Sequence, residues 1–349
     1  MPPSSASIDP VVTRQAELSF RTRLRNWLQP RSWSGFLVRR IGAGAVTVLV
    51  ISLAVFLATE ILPGDTARVI LGQEASPERV EQLRALLHLD LPAWERYALW
   101  LKRAVFGDFG TSLVNDMTVW DFVAHRFAVT GILVLFASIL AYPVALTLGV
   151  LSAVRPGSFL DRAVASLTVI FGAVPNVVTG MVLTLLFATS VWAVLPAISS
   201  ISPDKPLWDQ LSLFVLPALT LALGVVSGVV YNARAAMRDV MQMSYVTSAR
   251  LNGLPESNVI FLQALPNALP TCIQAIGVAL ADTLGGAVVV EILFGLPGVG
   301  SALNQSVHNR DIQVVQALTV IIAVAVVCVF IVSDVLARLA TPRDRTRRA

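Results

Sequence analysis

The chain has 349 residues, of which 55% are hydrophobic and only 14% charged, and its mean hydropathy is +0.72. A soluble domain is about a quarter charged, so the composition argues against a soluble enzyme or binding module and for an all-α polytopic membrane protein. The formal charge of +4 does not indicate nucleic acid, because the arginines bunch at the two ends and form no patch with interleaved aromatics; they read as orientation signals beside anionic membrane lipid.

In chain order, residues 1–36 form a basic tail. Phe20, Leu24, Trp27 and Leu28 share a face with Arg21, Arg23 and Arg25 around it, a pattern that suits an interfacial amphipathic helix and equally a solvated basic tail. The first apolar run, residues 41–59, follows a lead too long for the basic region of a cleaved signal peptide and reads as a retained first span. An outside region follows at about residues 61–126. Within it Ser76-Pro77-Glu78 is an N-cap with proline at the first helical position, and Val80, Leu83 and Leu87 recur at helical spacing.

A spanning helix needs about 20 predominantly apolar residues, and five further runs qualify. The second span is residues 127–154. The third is residues 163–190, with Pro196, Ser199, Ser200 and Ser202 marking where the apolar stretch leaves the membrane as a loop. The fourth is 210–233, the fifth is 271–290 with Asp282 inside it, and the sixth is 312–333 before Asp334. Residues 37–349 are thus expected to form one domain of six transmembrane helices.

Arg21, Arg23, Arg25, Arg31, Arg39 and Arg40 flank the first span, and Arg338, Arg343, Arg345, Arg347 and Arg348 follow the last. Six spans put both termini on one side, and the excess of arginine makes that side the cytoplasm. The loops carrying Arg155 and Arg162, and Arg234, Arg238 and Arg250, fall on the same side.

Neither Lys102 nor Lys205 stands in a phosphate-binding G-x-x-x-x-G-K-[ST] setting, and His88, His125 and His308 have no metal-ligand spacing. No G-x-S-x-G occurs, and Cys272 and Cys328 lie far apart in apolar stretches. No catalytic, cofactor or metal constellation is therefore read on this chain; if ATP drives it, the nucleotide site is on another chain.

The inside loop at about residues 237–270 is the most informative stretch. Tyr245, Ser248, Ala249 and Asn252 are expected on one helical face, with Gly253 as a C-terminal stop and Pro255 just beyond. The small residues Ser248 and Ala249 would admit another protein's surface, although an ordinary surface helix ended by glycine has the same spacing. Here the sequence resembles the permease subunits of ABC importers, in the dipeptide/oligopeptide/nickel permease family. Thr247-Ser248-Ala249, Gly253 and Leu265-Pro266 fall at the positions of that family's E-A-A-x-x-x-G signature and its distant L-P, with Thr247 and Ser248 replacing the Glu and the first Ala. Further landmarks follow in the family's order: FLVRRI at 36–41, LPGD at 62–65, GDFGTS at 107–112, LPALTLAL at 216–223, VEILFGLPGVGSAL at 290–303 and NRD at 309–311.

The resemblance implies a type I ABC importer permease fold in a bacterial inner membrane, with this chain forming half of a pathway for peptides or similar small solutes. It also implies a homologous second permease subunit and an extracytoplasmic solute-binding protein. Two cytoplasmic ABC ATPase subunits or domains would carry ATP-Mg and receive the 245–253 helix in a groove. A nickel complex or an oligosaccharide is the alternative cargo. A secondary transporter is the alternative class, and it would call for an inverted repeat that residues 41–190 and 210–333 do not display.

Two carboxylates at membrane depth are pathway candidates. A charge mid-way in a span costs about 2.5–3.5 kcal/mol on insertion scales, so Asp282 should face water or protein, contacting a substrate ammonium or pairing with neighbouring polar groups. Glu291 opens a stretch resembling the family's E-x-x-F-x-x-P-G-x-G and is either a pathway group or a structural anchor at the outer interface. Pro143, Pro175 and Pro217, with Gly172, Gly180, Gly224, Gly228, Gly285 and Gly286, permit kinks and close helix approach within the spans.

Overall fold

In hydrocarbon every backbone N–H and C=O must find its partner within the segment, which leaves helices as the means of crossing. The computed structural model follows that rule over the residues it describes, 33–61, 76–78, 81, 91–112, 114, 117–189, 192–202 and 204–341. The tail helix expected around Phe20 and Trp27, the 62–65 landmark, the run through Val80, Leu83 and Leu87, and the arginines from Arg343 onward lie outside those residues. The described residues hold helices and one isolated bridge, between Thr111 and Thr118.

The chain divides into two compact units, Met1–Leu49 and Val50–Ala349, with the boundary inside helix α1 (Trp33–Ile61). In the first unit Trp33 meets Phe36 edge-on, and Val38 and Val46 are exposed. In the second unit α1 continues past Phe56 and Thr59 and is followed by α2 (Ala93–Val105), α3 (Val119–Val154) and α4 (Phe159–Ala173). Next come α5 (Asn176–Thr184), which runs on as a π-helical turn over Leu185–Thr189, and α6 (Val215–Met241), led by a 3-10 turn over Leu207–Phe214. A short helix α7 (Ser244–Leu251) precedes α8 (Leu265–Phe294), α9 (Val299–His308) and α10 (Ile312–Ala340).

Among the described residues five segments are long and apolar enough to cross a bilayer: Trp33–Ile61, Val119–Val154, Leu207–Met241, Glu256–Phe294 and Ile312–Ala340. The expected single span at 163–190 is instead two helices, α4 and Asn176–Thr189, bent by 98°. The pair makes a sixth crossing only if it counts as one broken span. Proline explains the break: Pro175 has no N–H to give a continuing helix, and its ring pushes Val174 into extended geometry (φ −85°, ψ 123°).

The helices outrun the apolar stretches because polar residues cap them. Thr118 accepts a hydrogen bond from the Asp121 N–H and donates to its carboxylate at 2.6 Å, and Ser158 accepts from the Asp161 N–H, so α3 and α4 start with the same short-range device. Pro217 sits in the first turn of α6, where a missing N–H costs nothing.

α6 is the hub of the second unit and packs against α3, α8, α4 and α5. Lipid offers no hydrophobic drive between helices, so close approach rests on small residues. Gly149 of α3 meets α6 in this way: a Cβ added there would lie 2.7 Å from the Ala233 Cβ and 3.1 Å from the Val230 carbonyl oxygen. Ala233 of this contact belongs with Met237, Ala264 and Cys272 to one buried cluster toward α7, and Leu133, Phe214, Leu221 and Phe294 form another toward α9. Leu135, Ile139 and Val144 of α3 and Val332 and Leu336 of α10 are exposed, as side chains that face lipid should be.

Gly149→Val is expected to destabilise the fold by about 1–3 kcal/mol through overpacking, read as a lower melting temperature in detergent. Gly131→Ala, where a Cβ meets nothing within 4 Å, should leave it unchanged. Equal melting temperatures for the two variants would remove this account of α3–α6 packing.

Candidate functional site

α7 occupies the turn between α6 and α8, and its placement follows from four local contacts. Val246 and Ala249, one turn apart, are buried with Val259 and Met241 beneath the helix. Gly253 takes φ +75°, a conformation open to glycine at little cost, and ends the helix: its N–H bonds the Arg250 carbonyl at 3.0 Å and the Leu254 N–H bonds the Ala249 carbonyl at 3.3 Å. Arg250 donates to both carboxylate oxygens of Glu256, at 3.2 and 2.7 Å, closing the loop just past that stop. Tyr245 reaches the Asn267 side chain, and partial burial pushes its phenol above the ordinary tyrosine value.

The expected face needs one correction. Tyr245, Thr247, Ser248 and Asn252 are exposed, but Ala249 is 8% exposed and points into the protein, because it completes with Val246 the apolar stripe that seats α7. The outward face carries Leu251 instead, at 83% exposure, with Leu254 beside the stop. The sequence signal for Leu251 was a large apolar residue amid polar ones at the end of a short helix. Leu265 and Pro266, half-buried, open α8 directly after a π-helical turn over Val259–Ala264; the wide turn makes room for the Pro266 ring, which a regular helix would drive against a preceding carbonyl.

The two carboxylate candidates have opposite settings. Asp282 is exposed on α8 with no hydrogen-bond or ion-pair partner among the described residues. Glu291 is fully buried: one oxygen accepts the Thr130 hydroxyl at 2.5 Å, and the other accepts the Gly300 and Ser301 N–H groups at 2.8 and 3.1 Å. Thr130 in turn accepts the Val299 N–H at 2.8 Å. Together the two side chains satisfy the first three N–H groups of α9, and the negative charge faces the positive end of its dipole.

This geometry accounts for the residues around Glu291. Gly295 adopts φ +69° to end α8, Phe294 and Leu296 are buried, any side chain at Gly298 would collide with the Glu291 carboxylate, and one at Gly300 would collide with Val288.

Two further carboxylates are buried: Asp161, which the sequence reading passed over, and Asp311, which it named only as the end of a landmark. Asp161, at the start of α4, accepts from Arg234 at 2.7 Å, Arg238 at 2.6 Å and the Gly157 N–H at 2.9 Å, tying that helix to the last turns of α6. Asp311 caps α10 through the Val314 N–H and accepts the Ser112 hydroxyl at 2.5 Å, which joins the 107–112 and 309–311 landmarks.

Residues 145–346 match the family model described as the binding-protein-dependent transport system inner membrane component, and residues 34–134 match its companion for the N-terminal membrane region. The chain belongs to this family. It is an ABC permease of the peptide branch, a multi-pass protein of the bacterial inner membrane and a permease subunit of an ABC importer. It is similar to the oligopeptide transport system permease protein AppB of Bacillus subtilis, with 32% identity over 312 residues that cover 89% of this chain and 99% of the relative. It is also similar to the dipeptide transport system permease protein DppB of Escherichia coli K12, with 30% identity over 337 residues that cover 90% and 99%. A putative peptide transport system permease protein of Brucella abortus strain 2308 shares 32% identity over 314 residues, covering 89% and 99%. In this permease three of the landmarks are therefore structural joints as well as signatures: the 290–303 stretch is the Glu291 cap of α9, and GDFGTS and NRD are the two halves of the Ser112–Asp311 pair.

Glu291→Ala would orphan two N–H groups and a hydroxyl, each costing about 1–3 kcal/mol when left buried. A large drop in melting temperature is expected, with a smaller one for Glu291→Gln, whose amide oxygen can still take the N–H groups. A Glu291→Ala permease as heat-stable as its parent would refute the capping role.

Proposed function

We propose that this permease is one half of the pathway of an ATP-driven peptide importer and that α7, with the 245–253 segment, is where a separate ATPase couples to it. The observation that carries the reading is α7 itself: an eight-residue helix, seated by Val246 and Ala249, stopped by Gly253 and latched by Arg250–Glu256, presents Thr247, Ser248, Leu251 and Asn252 outward at the junction of the hub helix α6 and α8. A rigid surface helix bonded to two spans can pass a push from outside the membrane to both. Leu265 and Pro266 would transmit it at the start of α8.

The working topology is six spans, with the bent pair as the third and both termini in the cytoplasm. Arg155, Arg162, Arg234, Arg238 and Arg250 all belong to loops or helix ends on the α7 side, which supports that side as cytoplasmic. The peptide cargo rests on the similarity to oligopeptide and dipeptide transport system permease proteins. The partners in this reading are a homologous second permease subunit, two ABC ATPase subunits or domains carrying ATP-Mg, and an extracytoplasmic solute-binding protein. Within the pathway Asp282 supplies a carboxylate for the ammonium of a peptide, and Glu291 serves as the cap of α9 and not as a cargo contact.

Gly253→Val places a β-branched residue at φ +75° in open space, so its effect is conformational. Loss of ATPase co-purification and of uptake is expected while the subunit still inserts, with both retained in Gly253→Asn, since asparagine tolerates that conformation. Normal assembly and uptake in the valine variant would sink the coupling assignment. For the topology, reporter fusions after Arg250 and at the C-terminus should both read cytoplasmic; opposite sides would overturn the six-span reading.

A further inference from the structure

The bend between α4 and α5 puts one polar side chain where the two helices at the centre of the permease come together. Asn176, the first residue of α5, is half-buried between Gly224 of α6 and Gly286 of α8. A Cβ built on Gly286 would lie 3.0 Å from the Asn176 amide nitrogen, and one on Gly224 would overlap the amide oxygen. The carboxamide has no hydrogen-bond partner among the described residues. At membrane depth an amide without a protein partner must be met by water or by a ligand.

What lies on either side of Asn176 differs. Toward α9, α5 covers both helices: Gly180 sits against Thr220 of α6 and against Leu293 and Phe294 of α8. Toward α7 the same helix faces are uncovered. From Gly224 the steps along α6 lead to Gly228, Tyr231 and Asn232, all exposed, and from Gly286 the steps along α8 lead to Asp282, Val278 and Gln274, all exposed. Asn232, Asp282 and Gln274 thus stand on exposed faces of α6 and α8 on the α7 side of Asn176, and α5 covers both helices on the other side.

We propose that cargo passes along these exposed faces of α6 and α8, that Asn176 contacts it where α5 closes over them, and that it recognises the peptide bond itself. A carboxamide offers one acceptor and two donors, the complement of a backbone C=O and N–H, and reads them whatever side chains flank them. The two glycines let the carboxamide seat at backbone level between α6 and α8, and because Asn176 is only half-buried a cargo backbone can reach its remaining open side. Such recognition suits an importer whose cargo varies in side chain and shares only its backbone. The inference rests on the peptide-permease reading and adds to it the group that the pathway reads.

The test uses the complete transporter, with its own ATPases and binding protein, reconstituted in liposomes. Uptake of a tripeptide is compared with that of its depsipeptide analogue, in which one backbone amide is an ester and lacks the N–H. Because the same binding protein delivers both, its own preference cancels when the peptide-to-depsipeptide ratio of a variant is divided by that of the parent. Asn176→Ala is expected to lower that ratio about five- to tenfold, the equivalent of one hydrogen bond, with assembly and basal ATP hydrolysis kept. An unchanged ratio in a variant that still transports overturns the proposal and leaves the permease reading standing, whereas a parent that takes up neither compound sinks the permease reading. Should Asn176→Ala fail to assemble, Asn176→Cys in a Cys328→Ser background is probed with a membrane-impermeant thiol reagent: labelling that the tripeptide slows supports the contact, and absence of labelling, or labelling indifferent to peptide, refutes it.

Discussion

A helix that stops inside or beside hydrocarbon exposes N–H and C=O groups that nothing in the lipid can satisfy, and this permease is organised by how it meets that demand. Hydroxyls meet it at the starts of α3 and α4, carboxylates at α9 and α10, and a third carboxylate anchors α4. Glu291 serves α9 from the neighbouring helix, Asp311 serves α10 from its own cap position, and Asp161 fastens the start of α4 to Arg234 and Arg238. Each also joins segments distant in sequence, so the groups that finish the helices are the ones that hold the helices together.

That double duty explains what the sequence revealed and what it withheld. The apolar runs of the second, fourth, fifth and sixth spans were legible because a bilayer sets a minimum length, whereas the starts of α3 and α4, eight and four residues before the expected spans, were not, because Thr118 and Ser158 cap turns that lie outside the apolar runs. Pro143, Pro217 and Pro175 look alike on paper. Pro143 stays within a continuous α3 and Pro217 falls in a first turn, whereas Pro175 breaks its span by 98°. Whether a proline breaks a helix depends on neighbours that cover the freed backbone groups, and those neighbours belong to other helices. Asp161 was unreadable for a related reason: its arginines stand 73 and 77 residues away, where local pattern carries no information.

The loop at α7 shows the same boundary at finer grain. Its stop at Gly253 was legible because the left-handed conformation favours glycine, and its polar outward residues followed from helical spacing. The inward turn of Ala249 was not, since an alanine suits a docking face and a packed seat equally well, and only the presence of Val246, Val259 and Met241 beneath it decides between them. Glu291 and Asp282 separate in a comparable way. Both are carboxylates on α8, and the difference lies in Thr130 and α9, which enclose the first and leave the second open.

The Ser112–Asp311 pair has a consequence for how the protein is made. The two residues lie 199 positions apart, and the turn that carries Ser112 leaves the ribosome long before the residue that anchors it. At about 5–20 residues per second, roughly 10–40 s of synthesis separate them. Through that interval the segment leading into α3 stands without its buried partner, and it can lock only when the final helix arrives. The last span therefore acts as the clasp of biogenesis, so that a truncated chain would leave its early landmarks unfastened and open to the cell's proteases.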